Sequence, residues 1–330
     1  MLPPSLLSSL CTTATLLFLL HLAFCLLRCH LPRRRLDAED AVLVTGCDSG
    51  FGLAIVKTLL LETGATVVAG AVTKEGLERL KKMGGEKNGN GRVVALLLDV
   101  TKDEDVKKAI EEIASSGKKL AGVVNNAGIG IYGWCEAMAM ETYEKIIQIN
   151  LVGTIRVTKA ALPLLRKSSG RLVTMGSLAG RAPSAFGSAY TPTKAAVASF
   201  QDAVRQEVYR FGVYCSLIEP GFFATGMLHR SAELGRKDAC GAESGEDPAV
   251  VAAYGSYSEK MKRTEGSVIA SEKLNGGEEG VSWVTDSVLD ALTNPWPRTR
   301  YLCGFDANLL GRLSFFVPDL LTDLVQTYII

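Results

Sequence analysis

Tyr190 and Lys194 stand four residues apart in Tyr190-Thr-Pro-Thr-Lys194, and Ser177 lies thirteen positions before the tyrosine. These residue types can move a proton. A free phenol titrates near pH ~10, so a tyrosine serves as a base at neutral pH only where a positive charge stabilises its phenolate. Residues four apart share one face of a helix. That spacing sets the Lys194 ammonium beside the Tyr190 phenol and within reach of a bound cofactor, and it leaves Ser177 to orient a substrate oxygen. The same spacing also arises by chance on amphipathic helices, so the pair draws its weight from the motifs around it.

The segment Gly46-Cys-Asp-Ser49-Gly50-Phe51-Gly52 follows an apolar run, Ala41 to Thr45, and opens a helical pattern through Leu53, Ile55, Val56, Leu59 and Leu60. In that context Gly46, Ser49, Gly50, Phe51 and Gly52 read as a dinucleotide-binding loop. Glycines let the backbone approach a pyrophosphate, and the helix N-terminus offers N–H groups to its charge. A simple tight turn is the alternative. Asp99 ends a third strand, where it can accept a hydrogen bond from an adenine amino group or cap the next helix. Asn125-Asn126-Ala127-Gly128 ends the fourth, and the small residues there would let a cofactor lie across the sheet edge. Asn150 falls inside an expected helix, where asparagine is mildly unfavourable, so a structural or water-binding role has to offset its cost.

These residues need a frame. Apolar segments at 41–45, 66–69, 93–98, 123–125, 171–174 and 214–218 alternate with helical patterns, and a seventh strand is expected at 299–302. Continuous apolar strands between helices predict an α/β chain with a doubly wound parallel sheet of about seven strands. With 330 residues, 47% of them hydrophobic and 22% charged, one large domain with appendages is expected. A net charge of +1 offers no field for nucleic acid, which is excluded as a partner. Of the eight cysteines, Cys11, Cys25 and Cys29 sit by the N-terminal apolar stretch and the rest lack metal-ligand spacing; they read as free thiols, with no metal site.

Leu6 to Leu27 is apolar apart from small hydroxyl residues and His21, and Arg28, Arg33, Arg34 and Arg35 follow. Such a run crosses a hydrocarbon core of ~30 Å as a helix. Residues 1–35 are therefore expected to form an uncleaved N-terminal transmembrane helix with a basic flank, because a secretory signal carries its positive charge ahead of the apolar run. A cleaved signal and a mitochondrial presequence are the alternatives. The positive-inside rule puts the domain over 36–330 on the cytoplasmic face. Ser231 to Gly280 is rich in Gly, Ser, Glu and Lys, with a helical piece over 250–262, and reads as a substrate-covering insertion or a solvated surface loop. Within the 303–330 segment, the apolar run from Leu309 to Ile330 either lines an entrance at the membrane interface or packs on the core.

Taken in order, Thr45-Gly46-x-x-x-Gly50-x-Gly52, Asn125-Asn126-Ala127-Gly128, Asn150, Ser177, Tyr190-x-x-x-Lys194 and Pro220-Gly221-x-x-x-Thr225 resemble the motif series of the short-chain dehydrogenases/reductases, which have a Rossmann-type fold. The loop from Thr45 to Gly52 and Pro297-Arg298-Thr299-Arg300-Tyr301 are similar to the branch holding retinol dehydrogenases, 17β-hydroxysteroid dehydrogenase type 2 and D-3-hydroxybutyrate dehydrogenase. The resemblance implies hydride transfer with Tyr190 as base, its pKa held down by Lys194 and the nicotinamide charge. It implies further that Ser177 bonds the substrate oxygen, that Lys194 also holds the ribose, and that Asn150 positions a relay water. Pro220, Gly221 and Thr225 would hold the carboxamide, and a homo-oligomer is implied.

Three departures bear on that expectation. Ala69-Gly70-Ala71-Val72-Thr73-Lys74 carries no acid where the ribose 2'-hydroxyl is usually bound, and Lys74 would suit a 2'-phosphate. The branch mostly uses NAD, so NAD is expected, with NADP the alternative. Thr174-Met175-Gly176-Ser177 replaces the more usual Asn-x-Ser-Ser, and Pro192 requires the helix to start close to Tyr190. The expected protein is a single-pass, NAD-dependent enzyme of the endoplasmic reticulum membrane that oxidises a lipophilic alcohol, a retinoid or hydroxysteroid, to the ketone or aldehyde. D-3-hydroxybutyrate oxidation, with a mitochondrial address and a cation from 231–280 near Tyr190, is one alternative. A catalytically silent dinucleotide-binding scaffold is the other.

Overall fold

Short β-branched runs such as Asp40–Val44 and Thr66–Ala71 are buried along their whole length, as strands covered on both faces must be. The computed structural model of the chain describes residues 31–85, 91–223, 248–255, 269–277 and 279–313, with Gly266 and isolated positions between 12 and 30. Seven strands form one parallel sheet: β1 (Asp40–Val44), β2 (Thr66–Ala71), β3 (Arg92–Leu97), β4 (Lys119–Asn125), β5 (Arg171–Met175), β6 (Tyr214–Pro220) and β7 (Arg300–Cys303). Their order is β3-β2-β1-β4-β5-β6-β7. The order reverses between β1 and β4, and the crevice at the C-terminal ends of such a switch point is where doubly wound sheets bind ligands.

Helices α1 (Gly50–Glu62), α2 (Lys74–Gly85), α3 (Asp103–Ser115), α4 (Met140–Ile147), α5 (Thr154–Ser168), α6 (Tyr190–Val208), α7 (Pro248–Tyr254), α8 (Val281–Thr293) and α9 (Phe305–Leu313) join the strands. Alternate residues of β1 explain the layering. Val42 and Val44 face a core with Ile55 and Leu59 of α1 and Val288 and Leu292 of α8. Ala41 and Leu43 face the other core, with Val106 and Ile113 of α3, Val157 and Leu165 of α5 and Val204 of α6. Each fully buried Leu, Ile or Val contributes ~1.5–3 kcal/mol, enough in sum to hold the loops at the strand ends.

The strand expected at 123–125 begins four residues earlier, at Lys119. Gly122 makes the run look like a turn, but here it is a packing device: a side chain at that position would strike Leu292 of α8. Pro192 falls in the first turn of α6, which starts at Tyr190 as the proline requires. Of the inserted segment, α7 and residues 269–277 are described, and the helical piece expected to reach 262 is described only to Tyr254.

Most of the expected transmembrane helix lies outside the described residues, among which no helix is long and apolar enough to cross a membrane. The basic flank contributes to the fold itself. Arg28 is buried, pairs with Asp290 near the C-terminus of α8, and donates from Nε to the Trp296 carbonyl at 2.7 Å and from Nη2 to the Tyr301 hydroxyl at 2.9 Å. The Arg34 amide donates to the Thr293 carbonyl at 2.7 Å, and its guanidinium lies 3.6 Å from Asp40. Cys47, Cys215 and Cys303 are buried free thiols and Cys135 is exposed; among the described residues no cluster could hold a metal.

Candidate active site

Tyr190 and Lys194 leave the first turn of α6 on one face, both buried, with Lys194 Nζ 5.8 Å from the centre of the Tyr190 ring. Lys194 Nζ donates to the Met175 carbonyl at the end of β5, at 2.8 Å. Two residues on, Ser177 accepts from the Ala179 amide at 3.1 Å through Oγ and is hydrogen-bonded to the Tyr190 phenol. The three residues expected to share a site therefore do so.

Their electrostatics differ from the expectation. Burial pushes the Tyr190 phenol up to about 12, and the bond with Ser177 only partly opposes it. Burial lowers the Lys194 ammonium to about 8. Lys194 by itself thus does not hold the phenol down: both groups are short of water and each favours its neutral form. A phenolate at neutral pH needs a further positive charge beside it.

Asn150 resolves its own helical cost. It sits in a π-helical turn, Gln148–Gly153, between α4 and α5. The widened turn presents its side chain to the loop after β4, where Oδ1 accepts from the Ile129 amide at 2.8 Å and Nδ2 donates to the Ile129 carbonyl at 2.9 Å. Nδ2 also donates to Thr193 Oγ1 at 3.1 Å, one residue from Lys194. Asn150 and Lys194 face each other across Gly128: a Cβ there would lie 3.2 Å from Asn150 Oδ1 and 3.6 Å from Lys194 Nζ.

The glycine loop has the backbone a phosphate cradle requires. Gly46 and Gly50 have φ of 68° and 57°, the left-handed region that side chains disfavour. A Cβ on Gly46 would stand 2.7 Å from the Ala127 Cα, so the loops after β1 and β4 touch through bare backbone. Ser49, extended, precedes α1 and does not cap it through its side chain. The first-turn N–H groups of α1 have no acceptor within the helix and suit a pyrophosphate. Asn126 acts differently from a ligand group: its Nδ2 donates to the carbonyls of Thr45 at 2.9 Å and Gly46 at 3.0 Å. Thr45 Oγ1 in turn accepts from the amides of Asn126 and Ala127, at 3.1 and 3.0 Å. Phe51 packs edge-on against Phe223 at 5.8 Å.

Asp99 serves its own turn, accepting from Thr101 N at 2.9 Å and Thr101 Oγ1 at 2.7 Å, with Lys102 3.7 Å away. Burial alone would raise its carboxyl, but the Thr101 bonds and Lys102 outweigh it and leave it lowered. The turn after Pro220 is held by two residues not anticipated from the sequence. Asp306 Oδ2 accepts from the Phe222 amide and Asn275 Nδ2 donates to the Phe222 carbonyl, both at 2.8 Å, while the Gly221 amide bonds the Cys303 carbonyl at 2.9 Å. Thr225 lies outside the described residues. Asp48 was also missed; its carboxylate reaches the end of β2, accepting from the amides of Val72 and Thr73 at 3.0 and 2.9 Å.

From Tyr190 an aromatic wall runs outward. Tyr132 lies 5.5 Å from the Tyr190 ring, and Trp134 packs on Phe186 at 4.3 Å and on Tyr254 at 4.9 Å. Tyr254, from α7, donates to Glu136 Oε2 at 2.6 Å, so the end of α7 reaches this wall. Arg181, four residues after Ser177, is tied to the buried Glu219 at 2.8 Å.

The match of this chain to known proteins is extensive. The family model described as short chain dehydrogenase matches residues 40–234. The 17-beta-hydroxysteroid dehydrogenase type 6 of Bos taurus is 36% identical over 300 residues, covering 88% of this chain and 88% of that protein. The mitochondrial D-beta-hydroxybutyrate dehydrogenase of Bos taurus is 41% identical over 273 residues, covering 80% and 76%. Retinol dehydrogenase 5 of Mus musculus is 34% identical over 309 residues, covering 90% and 91%. A solved short-chain dehydrogenase from Streptomyces avermitilis superposes with a TM-score of 0.64 at 26% identity, over 84% of this chain and 94% of the other. The chain belongs to the short-chain dehydrogenase family, in the branch of the steroid, retinol and hydroxybutyrate dehydrogenases, as an oxidoreductase of CH–OH groups.

Proposed function

We propose that this chain uses NAD to oxidise the hydroxyl of a lipophilic alcohol, of retinoid or steroid type, and that residues 1–35 hold it at the endoplasmic reticulum membrane. The observation that carries the substrate class is the wall of Tyr132, Trp134, Phe186 and Tyr254 beside Tyr190. Flat apolar rings pack well on such a surface. A small carboxylate would instead need a cation there, and Arg181 is already paired with Glu219.

When bound, the dinucleotide supplies the hydride acceptor and a positive ring charge. The chain's own residues supply the rest. Gly46, Ser49, Gly50, Phe51 and Gly52 would hold the pyrophosphate through backbone, with Ala127 and Gly128 leaving room beside them. Ser177 holds the substrate oxygen against Tyr190, which takes the hydroxyl proton. Lys194, with its ammonium near 8, is mostly charged at pH 7 and offers donors to the phenolate and to a ribose. Asn150 fixes the Ile129 backbone opposite Lys194, and the Gly221 turn, held by Asp306, would take the carboxamide.

The test is turnover of purified enzyme with NAD or NADP against a retinol, a hydroxysteroid and D-3-hydroxybutyrate, together with Tyr190→Phe. Turnover of a lipophilic alcohol is expected, falling ~100-fold or more in Tyr190→Phe while dinucleotide still binds. Undiminished turnover in that variant would remove Tyr190 from the mechanism. Turnover of hydroxybutyrate alone would favour the second reading, which has the 41% identity to the D-beta-hydroxybutyrate dehydrogenase behind it.

A further inference from the structure

The end of β2 runs Ala71-Val72-Thr73-Lys74 and contains no acid, although Rossmann folds commonly place one there for the ribose 2'-hydroxyl. The fold brings one from elsewhere. Asp48, between the glycines of the loop after β1, reaches across to this point. Oδ2 accepts from the Val72 amide at 3.0 Å, and Oδ1 accepts from the Thr73 amide at 2.9 Å and the Thr73 hydroxyl at 2.7 Å. We propose that Asp48 selects the cofactor, admitting a free 2'-hydroxyl and rejecting a 2'-phosphate.

Two successive amides and a hydroxyl that converge on one anion form the kind of backbone nest that binds phosphate. The Asp48 carboxylate fills that nest from within. α2 begins at Lys74, so the carboxylate also lies at a helix N-terminus, where negative charge is favoured. Gly76, in the first turn of α2, leaves room for it; a Cβ there would come 3.0 Å from the Asp48 Cγ. A carboxylate accepts about four hydrogen bonds, and Asp48 Oδ2 takes one from Val72. It therefore retains capacity for a 2'-hydroxyl. Among the cations of α2, Lys74 opens the helix and Arg79 Nη1 is engaged with the Asp48 carbonyl at 2.7 Å. With the carboxylate in place, a 2'-phosphate meets a like charge and occupied donors. Without it, the same amides would be open to that phosphate at the N-terminus of α2, with no carboxylate to repel it.

The proposal rests on reading the glycine loop as a dinucleotide site, and its test separates the two. Binding of 5'-AMP and of 2',5'-ADP is measured by calorimetry on the full chain, wild type and Asp48→Ser, with Asp48→Asn as a variant of the same size. Wild type is expected to favour 5'-AMP by ~10-fold or more, and Asp48→Ser to shift the ratio toward 2',5'-ADP by ~10-fold or more. A wild type that prefers 2',5'-ADP, or a ratio unmoved in both variants while 5'-AMP still binds, overturns the role of Asp48. A wild type that binds neither nucleotide overturns the dinucleotide site and the proposal together. A wild type that prefers 2',5'-ADP overturns the proposal even where a variant fails to fold.

Discussion

Lys194 should make the protein less stable than it would be with an apolar residue in its place. Its ammonium is buried and lowered from an ordinary 10.5 to about 8. Below pH 8 it is charged in the folded and the unfolded chain alike, and the folded state bears the full desolvation cost. That gap between 10.5 and about 8 corresponds to about 3 kcal/mol, at ~1.4 kcal/mol per pH unit. Between the two values the unfolded chain holds the proton and the folded one has released it. Stability therefore rises with pH across that window. Lys194→Met keeps the stem and removes the charge, but it strips the Met175 carbonyl of its 2.8 Å partner, a loss of about 1 kcal/mol. The variant should be more stable at pH 7 by about 2 kcal/mol, lose that margin as pH rises toward 10, and be inactive. Urea unfolding of both proteins at pH 7 and pH 10 gives the difference with other titrating groups cancelled. A variant less stable at pH 7, or a margin that does not change with pH, would refute the reasoning.

Two further substitutions probe the supports of the site. In Asp306→Asn, the cheaper amide orientation keeps its oxygen on Ala307 N and Asn275 Nδ2 and turns its NH2 against Phe222 N. One buried donor then loses its acceptor, so we expect a loss of about 1–3 kcal/mol in urea unfolding, with a raised KM for the dinucleotide and little change in KM for the alcohol; an unchanged cofactor KM would separate this residue from the Gly221 turn. Arg28→Ala leaves Asp290 with a weaker partner in Arg33, 3.5 Å away, and should cost about 3 kcal/mol. Arg28→Lys should restore less than half of that, because an ammonium cannot reach Asp290, Trp296 and Tyr301 together; equal stability of the three proteins by thermal unfolding would show that the contact is inert.

The sheet was legible in the sequence because a parallel strand covered on both faces needs an apolar centre, and 41–44, 67–69 and 172–173 supply one. The start of β4 was not, since Gly122 looks like a break until Leu292 is seen to fill the space over it. The Ser177, Tyr190 and Lys194 constellation was legible because helix geometry fixes which residues share a face. The direction of their pKa shifts was not, because spacing carries no information about how much water surrounds a group. Asp48, Asn275 and Asp306 were missed for a different reason. They lie 24, 53 and 84 residues from the backbone atoms they hold, and only the fold brings them there.

The docking of Arg28 also bears on attitude. Asp40 opens β1 and the segment from Thr293 to Arg300 leads into β7, so Arg28 and Arg34 grip the sheet at the end remote from the glycine loop. A free linker of n residues wanders over ~5–6 Å × √n and lets a domain tumble at its end. Here no such slack lies between residue 28 and the sheet. A restraint applied at Arg28 therefore sets the compass bearing of the crevice at the C-terminal ends of the strands, which points the opposite way.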